Sequence, residues 1–167
     1  LRGLVTELTD DVCAAYATAF LDHMQQSGYL RLGGRVLVGQ DLRFSSPRIA
    51  LACMKAATAS GLHVENCGAL PTPALALRSL SLKAPAIMVT GSHIPADRNG
   101  LKFYRPDGEI DKRDEAAINA ALKLVSVISG AETPAAKNTA LEAYALRCQS
   151  ILPAQALNGK RIGVYQH

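Results

Sequence analysis

The length, composition and charge of the chain set the first limits on its fold and function. Its 167 residues suffice for one domain of ordinary size that buries a core without disulfides or a metal. Apolar residues make up 49% of the chain and charged residues 19%, which is typical of a folded globular protein and excludes disorder. With three Phe, five Tyr and no Trp, stacking surfaces for bases or sugars are scarce, so we expect no nucleic-acid partner. The net charge of +4 is scattered along the chain, as on a solvated surface.

Cysteine spacing and hydropathy indicate the compartment. The four cysteines, at positions 13, 53, 67 and 148, form no Cys-x-x-Cys pair and fall in apolar-patterned segments, which is typical of buried thiols in a reducing compartment. No apolar run approaches the length of a membrane span, and no basic-then-apolar leader opens the chain. These features predict a cytoplasmic protein with no membrane partner.

Short strands and helices are predicted to alternate through the first half of the chain. From Thr9 to Gln26 apolar residues recur at helical spacing, with Thr9 as a plausible N-cap and Gly28 as a stop. The elements predicted next, in chain order, are a strand at Arg35–Gln40, a helix at Pro47–Ser60, a strand at His63–Cys67, a helix at Pro73–Leu80 and a strand at Pro85–Thr90.

The second half of the pattern is more helical. The run Arg105–Gly108 is a turn signal, and helical spacing then extends from Asp111 to about Ile128 and again from Asn138 to about Ile151. Pro153 and Gly159 mark a linker before an apolar strand pattern at positions 160–165. We therefore expect one domain over residues 1–152, with residues 153–167 forming a linker and the first strand of a second domain that is cut short.

Alternation of this kind predicts an α/β fold, a three-layer α/β/α domain with a mixed, largely parallel sheet. Ligands of such domains gather where the parallel strands end at their carboxyl termini. Applied to this chain, that rule selects the segments that follow Gln40 and Thr90 as candidate site loops.

The segment from 90 to 102 carries the densest polar chemistry. A hydroxyl that can hold or pass a phosphate needs cationic groups and backbone donors around the phosphate oxygens, and Ser92, His93 and Lys102 can supply such groups. Gly91 and Gly100 would allow the backbone to approach an anion closely. By spacing alone, however, a serine in a glycine-containing loop is most often an ordinary turn residue.

Asn99 extends this argument, because the Asn99-Gly100 dipeptide readily takes the positive φ values that a tight loop requires. Two rival sites lack their motifs. The segment is not the Gly-x-Ser-x-Gly elbow of α/β hydrolases, since Ile94 stands where the second glycine belongs. The chain also contains no Gly-x-x-x-x-Gly-Lys-Ser/Thr phosphate-binding loop. A serine hydrolase remains a weaker alternative.

The sequence Thr90 to Tyr104, TGSHIPADRNGLKFY, resembles the phosphoserine loop of the α-D-phosphohexomutase family. Three more segments agree with that family in order along the chain: LRG at positions 1–3, VGQDLRFSS at positions 38–46, and the turn from Gly68 to Pro73. The resemblance covers essentially the whole chain and implies the first, phosphoserine-bearing domain of such an enzyme.

The resemblance also implies residue roles. Ser92 would be the phosphoserine that donates its phosphate to a hexose phosphate and recovers one from the hexose 1,6-bisphosphate intermediate. Arg2 and Lys102 would lie at the phosphoryl group, Arg2 as a fork for two oxygens and Lys102 as a point charge or proton carrier, and His93 would line the same pocket. For Arg43 we favour a structural role, in which it pairs with a neighbouring carboxylate and shapes its loop, over one at the phosphate.

The resemblance implies Mg²⁺ as cofactor, bound by a phosphate oxygen on Ser92 and by an Asp-Gly-Asp-x-Asp-Arg loop. That loop is absent here, so we expect partners in missing C-terminal domains of the same enzyme and no activity from this chain alone. Gly91 and Ile94 replace the Ala and Asn of many family members, a variant that tilts the preference toward mannose phosphates over glucose phosphates. The alternative is a non-catalytic α/β module that binds an anion or a partner chain.

Overall fold

A computed structural model of the chain describes residues 1–123 and 132–165. In this part of the chain the helices are α1 (Asp10–Gln26), α2 (Ser46–Ala59), α3 (Thr72–Leu82), α4 (Lys112–Ala120) and α5 (Thr139–Gln149). The strands are β1 (Arg2–Leu4), β2 (Arg35–Gln40), β3 (His63–Ala69), β4 (Ala86–Val89), β5 (Arg98–Arg105) and β6 (Gly108–Glu109).

The strands form one mixed sheet in the order β1-β5-β4-β2-β3, with β6 paired to the C-terminal end of β5. Strands β3, β2 and β4 run parallel, whereas β5 is antiparallel to β4, β1 and β6. The predicted α/β class and the mixed sheet are thus confirmed, and the parallel pairing is confined to three strands. The carboxyl ends of β2 and β4, which are direct neighbours, meet at one edge of the sheet.

Alternation along the buried strands builds the three layers. In β2, Val36 and Val38 pack into a cluster with residues of α1 and α2, whereas Leu37 points to the opposite cluster with residues of α3 and α5. Successive side chains of a strand point to opposite faces, so a strand with consecutive buried apolar residues needs a helical layer on each side.

Local signals set the starts of several helices. The hydroxyl of Thr9 accepts a hydrogen bond from the amide of Val12 at 3.3 Å, which confirms the predicted N-cap of α1. Asp111 and Asp114 form a reciprocal capping box at the start of α4.

Three expectations differ from the structure. Residues 90–102 were expected to form one loop, but from Arg98 onward they belong to strand β5. The Asn-Gly dipeptide suggested a turn in a run whose side chains are largely buried. Helix α4 ends at Ala120, and the part of the expected helix beyond residue 123 lies outside the described residues. Residues 160–165 form no strand, since the described residues offer no neighbouring strand to accept their backbone hydrogen bonds.

Among the described residues, no helix has both the length and the apolar character that crossing a bilayer requires.

The stacked pair Phe20 and Phe103 tests the packing between α1 and the sheet. The ring centroids are 4.6 Å apart and Phe20 is fully buried. We expect Phe20→Ala to lower the free energy of unfolding by about 3–5 kcal/mol, because it removes the ring and leaves a cavity. Urea denaturation would measure this loss, with Leu80→Ala as the control, since Leu80 is 48% exposed and should cost far less. Equal losses in the two variants would contradict this packing.

Candidate active site

Two loops meet at the carboxyl edge of the parallel strands. The segment 41–45 follows β2, and the segment 90–97 follows β4. The amide of Gly91 donates to Oδ2 of Asp41 at 3.0 Å, which joins the two loops directly. The segments that the strand-end rule selected from the sequence are therefore in contact.

The guanidinium of Arg43 forms the main link between the loops. It donates to the backbone carbonyls of Ser92 at 3.2 Å, Ile94 at 2.5 Å, Pro95 at 2.8 Å and Arg98 at 3.1 Å. The carbonyl of Pro95 also accepts a hydrogen bond from the amide of Arg98, and the planar fork of an arginine can donate to several carbonyls at once. This geometry agrees with the structural role favoured for Arg43.

Gly91 is needed because there is no room for a side chain at this position, and not because of its backbone angles. A Cβ built on Gly91 would overlap the guanidinium of Arg43, and one built on Gly100 would overlap the backbone carbonyl of Leu1. Neither glycine has a positive φ, and neither does Asn99, so the expectation that Asn99-Gly100 supplies such angles is wrong. Close packing of neighbouring backbone and side chains explains both glycines.

The residue with the unusual backbone is Ser92 itself, at φ 53°. A non-glycine residue in the left-handed region costs on the order of 1–3 kcal/mol and persists where its surroundings impose it. Its amide donates to Oγ1 of Thr90 at 2.9 Å, and its hydroxyl lies 3.2 Å from Nδ1 of His93. The loop thus holds Ser92 in a strained conformation with an exposed hydroxyl next to an imidazole.

Asp41 anchors the base of the site. Its carboxylate accepts hydrogen bonds from the Ser46 hydroxyl at 2.5 Å and the Arg43 amide at 3.0 Å, in addition to Gly91. Burial acts to raise the pKa of Asp41, but the hydrogen bonds, led by that from Ser46, outweigh it and hold the pKa below its ordinary value. Asp41 is the neighbouring carboxylate expected to pair with Arg43, and its bonds to Ser46 and Gly91 have no signal in the sequence.

Asn99 supports the same base from strand β5. It is fully buried, and its side-chain amide donates to the hydroxyls of Ser45 at 2.8 Å and Ser46 at 2.9 Å. The side-chain carbonyl of Asn99 accepts a hydrogen bond from the backbone amide of Gly100. The two serines were missed because a Ser-Ser pair before a proline reads as an ordinary helix start.

A cleft of about 770 Å³ opens beside this framework, and its wall includes Arg2, Ser92 and Lys102. Three of the four residues expected at the phosphoryl group therefore share one cavity, while His93 adjoins it through Ser92. The Nζ of Lys102 lies 2.6 Å from Oε1 of Glu109, a further residue of the wall that the sequence analysis missed. The turn signal at Arg105–Gly108 was the one sequence feature that pointed toward Glu109, because it suggested a hairpin there.

The described residues do not by themselves form a metal centre. They contain no group of three or more His, Cys, Asp or Glu side chains placed to hold an ion. Asp41, which belongs to one of the two site loops, is engaged by three hydrogen bonds and by an ion pair with Arg43 at 3.4 Å. Ser92 could offer a single oxygen ligand.

Comparison with known proteins places this geometry in a family. Residues 1–126 match the family model described as phosphoglucomutase/phosphomannomutase, alpha/beta/alpha domain I. A phosphomannomutase of Sinorhizobium fredii is 47% identical over an alignment of 173 positions, which covers 100% of this chain and 36% of the relative. A phosphomannomutase of Salmonella muenchen is also 47% identical, over 99% of this chain and 34% of the relative. The chain thus spans about a third of the length of these relatives.

Solved structures agree with the match. A crystal structure from Thermus thermophilus, assigned as a phosphomannomutase, superimposes with a TM-score of 0.80 at 31% identity, covering 95% of this chain and 36% of that one. A phosphoglucomutase/phosphomannomutase family protein of Burkholderia thailandensis gives a TM-score of 0.63 at 28% identity, covering 75% of this chain and 30% of that one.

The link through Arg43 predicts a strong effect of Arg43→Lys. A lysine keeps the charge but cannot reach four carbonyls, so we expect a loss of about 1–3 kcal/mol in the free energy of unfolding and faster hydrogen exchange in residues 91–98. Arg35→Lys is the matched control, because the Arg35 side chain is 50% exposed and pairs with Glu65. Unchanged exchange in the Ser92 loop of Arg43→Lys would contradict the link.

Asp41 predicts a pH dependence of stability. Because its pKa in the folded state is below the unfolded value, its contribution is present above that unfolded value, about 3.9, and is lost as the pH falls through the folded pKa. The difference in unfolding free energy between wild type and Asp41→Asn should therefore be constant above about pH 5 and shrink in more acidic solution. Urea titrations across this range would measure it, with exposed Asp22→Asn as a control for charge. Parallel curves for wild type and Asp41→Asn would contradict the assignment.

Proposed function

The chain belongs to the phosphoglucomutase/phosphomannomutase family, and on this premise we propose that it is the phosphoserine domain of a phosphohexomutase. The reaction is the interconversion of a hexose 6-phosphate and a hexose 1-phosphate, with Ser92 as the phosphate carrier. The observation that carries the proposal is the strained Ser92, whose hydroxyl is exposed at the carboxyl edge of the parallel strands and in the same cleft as Arg2 and Lys102.

The chemistry proposed for these residues is a transfer in two halves. A sugar hydroxyl attacks the phosphorus on Ser92, the bond from phosphorus to Oγ breaks, and the bisphosphate forms. In the second half, after the sugar has turned around, Oγ attacks the other phosphate of that bisphosphate and the bond from its phosphorus to the sugar oxygen breaks. The phosphoserine is restored, and the hexose monophosphate leaves. Nδ1 of His93, 3.2 Å from Oγ, is placed to give a proton to Oγ or take one from it.

The cations of the cleft act on the phosphoryl oxygens. Arg2 can donate to two of them through its planar fork, and Lys102 offers a compact charge that meets the charge developing during transfer. Arg43, Gly91, Asn99 and Gly100 hold the loop and do not themselves need to touch the phosphate.

Mg²⁺ and hexose 1,6-bisphosphate remain predictions for the activity of the longer protein. A bound Mg²⁺ would neutralise charge on the phosphate oxygens, and a Ser92 phosphate would give it one ligand. The other ligands would come from outside the described residues, which contain no suitable carboxylate group.

Mannose phosphates are the substrates that we propose first. Two relatives named phosphomannomutase are 47% identical to this chain over nearly all of its length, and Gly91 and Ile94 favour the same choice. Glucose phosphates come second. Because the chain spans about a third of those relatives and its described residues hold no group of carboxylates placed to bind a metal ion, we propose that it is inactive alone. On this view it comprises domain I over residues 1–152 and the start of a second domain over 153–167, in a cytoplasmic enzyme.

A mass measurement and an activity assay together test this function. Protein purified from cells should carry an adduct of about 80 Da on Ser92, the mass of one phosphoryl group. With the chain extended to the length of its relatives, Ser92→Ala should lower mutase turnover at least about a thousandfold, because it removes the phosphate carrier and no core contact. Mannose 1-phosphate and glucose 1-phosphate would be compared side by side.

The matched control is Ser81→Ala, which removes an exposed hydroxyl at the end of α3. It should leave both the adduct and the turnover unchanged. An adduct that maps elsewhere, or full turnover in Ser92→Ala, would reject the mutase and favour a non-catalytic module that binds an anion or a partner chain.

A further inference from the structure

Lys102 is paired with a carboxylate in this structure. Its Nζ lies 2.6 Å from Oε1 of Glu109 and 5.4 Å from the centre of the Tyr104 ring. The hydroxyl of Ser92, in contrast, faces Nδ1 of His93. The cation proposed for the phosphoryl group is therefore held by a carboxylate while the serine is unmodified.

The β5–β6 hairpin puts Glu109 within reach of Lys102. Tyr104 pairs with Glu109 and Arg105 with Gly108 across the hairpin. Lys102 and Tyr104 are two residues apart on β5, so they share a face of the sheet, and Glu109 lies diagonally across from Lys102. Strand register thus places the backbone of Glu109 where its side chain can reach Lys102.

The pair lies in the same cleft as the serine. Ser92, Lys102 and Glu109 all contribute to the wall of the cleft of about 770 Å³. The amide of Thr90, where the serine loop begins, donates to the carbonyl of Gly100 at 3.0 Å, two residues before Lys102 on β5. A long, flexible lysine stem can move its ammonium within such a cleft while its backbone stays in the strand.

The pair is weak enough to exchange. The Lys102 side chain is 43% exposed and that of Glu109 is 61% exposed. Exposed ion pairs of this kind shift equilibria by no more than about fivefold. A phosphate on Ser92 would carry a charge of about −1.5 to −2 and three acceptor oxygens, against one charge on the carboxylate. The phosphate is therefore the stronger partner for the same ammonium.

We propose that Glu109 is a positioning residue that holds the ammonium of Lys102 at the wall of the cleft while Ser92 is free, and releases it when Ser92 carries phosphate. The inference rests on the proposed function only for the presence of that phosphate. The hydrogen bond with Glu109 raises the pKa of Lys102, which keeps the side chain charged and ready to transfer. Lys102 would then alternate between two anionic partners in each catalytic cycle.

Nitrogen-15 NMR of lysine ammonium groups tests the exchange on the 167-residue chain itself. One sample has the natural Ser92, and the other has phosphoserine placed at position 92 during translation. We expect phosphorylation to shift the Lys102 signal. Glu109→Gln should shift that signal in the unmodified protein but have little effect in the phosphorylated one. Glu109→Asp, which keeps the charge, should restore the dependence on phosphorylation.

The matched control is the ion pair between Lys112 and Glu115, whose Nζ to Oε2 distance is also 2.6 Å. Its lysine signal should respond neither to phosphorylation nor to Glu109→Gln. A Lys102 signal that phosphorylation leaves unmoved, or that responds to Glu109→Gln equally in both samples, would overturn the inference. Because the phosphate is installed directly, this result is independent of whether Ser92→Ala abolishes turnover, which tests the proposed function instead.

Discussion

The site depends on one guanidinium that ties two loops together. Arg43 lies in the loop after β2, and its guanidinium donates to backbone carbonyls around Ser92, which belongs to the loop after β4. These bonds give the carbonyls around Ser92 a charged donor, and together with the bond from the Ser92 amide to Thr90 they support the left-handed conformation of the serine. Asp41 is the second residue that joins the two loops. Its carboxylate accepts hydrogen bonds from the amides of Arg43 and Gly91, one in each loop, and forms an ion pair with Arg43.

The residues that hold the loop differ from those that line the cleft. Arg43, Asp41 and Asn99 are engaged by the protein itself, and the glycine at 91 is required because the guanidinium fills the space that a side chain would occupy. Ser92, in contrast, presents its hydroxyl to solvent, and Arg2 and Lys102 line the cleft with it. A loop that presents an exposed hydroxyl in the same cleft as two cations suits phosphoryl transfer, where positioning and electrostatic stabilisation supply most of the catalysis.

Lys102 connects the framework to the proposed cycle. A cation next to a site that alternately gains and loses a phosphate is left with an unbalanced charge whenever the phosphate is absent. Glu109 offers a partner for that state, held at a fixed place by the hairpin. The exposure of the pair keeps the interaction weak, so a phosphate can displace the carboxylate at little cost.

The sequence by itself determined the α/β class, the starts of α1 and α2, the two site loops and the family, because periodicity, capping residues and the motif around Ser92 are local and read directly from the chain. Tertiary structure decided the rest. That Arg98–Arg105 is a strand, that Glu109 reaches Lys102, and that Gly91 is needed for space all depend on which segments become neighbours. A contact between residues about 50 positions apart, such as that of Arg43 with the serine loop, has no local signature, since it follows from strand order and register, which the folded sheet alone fixes.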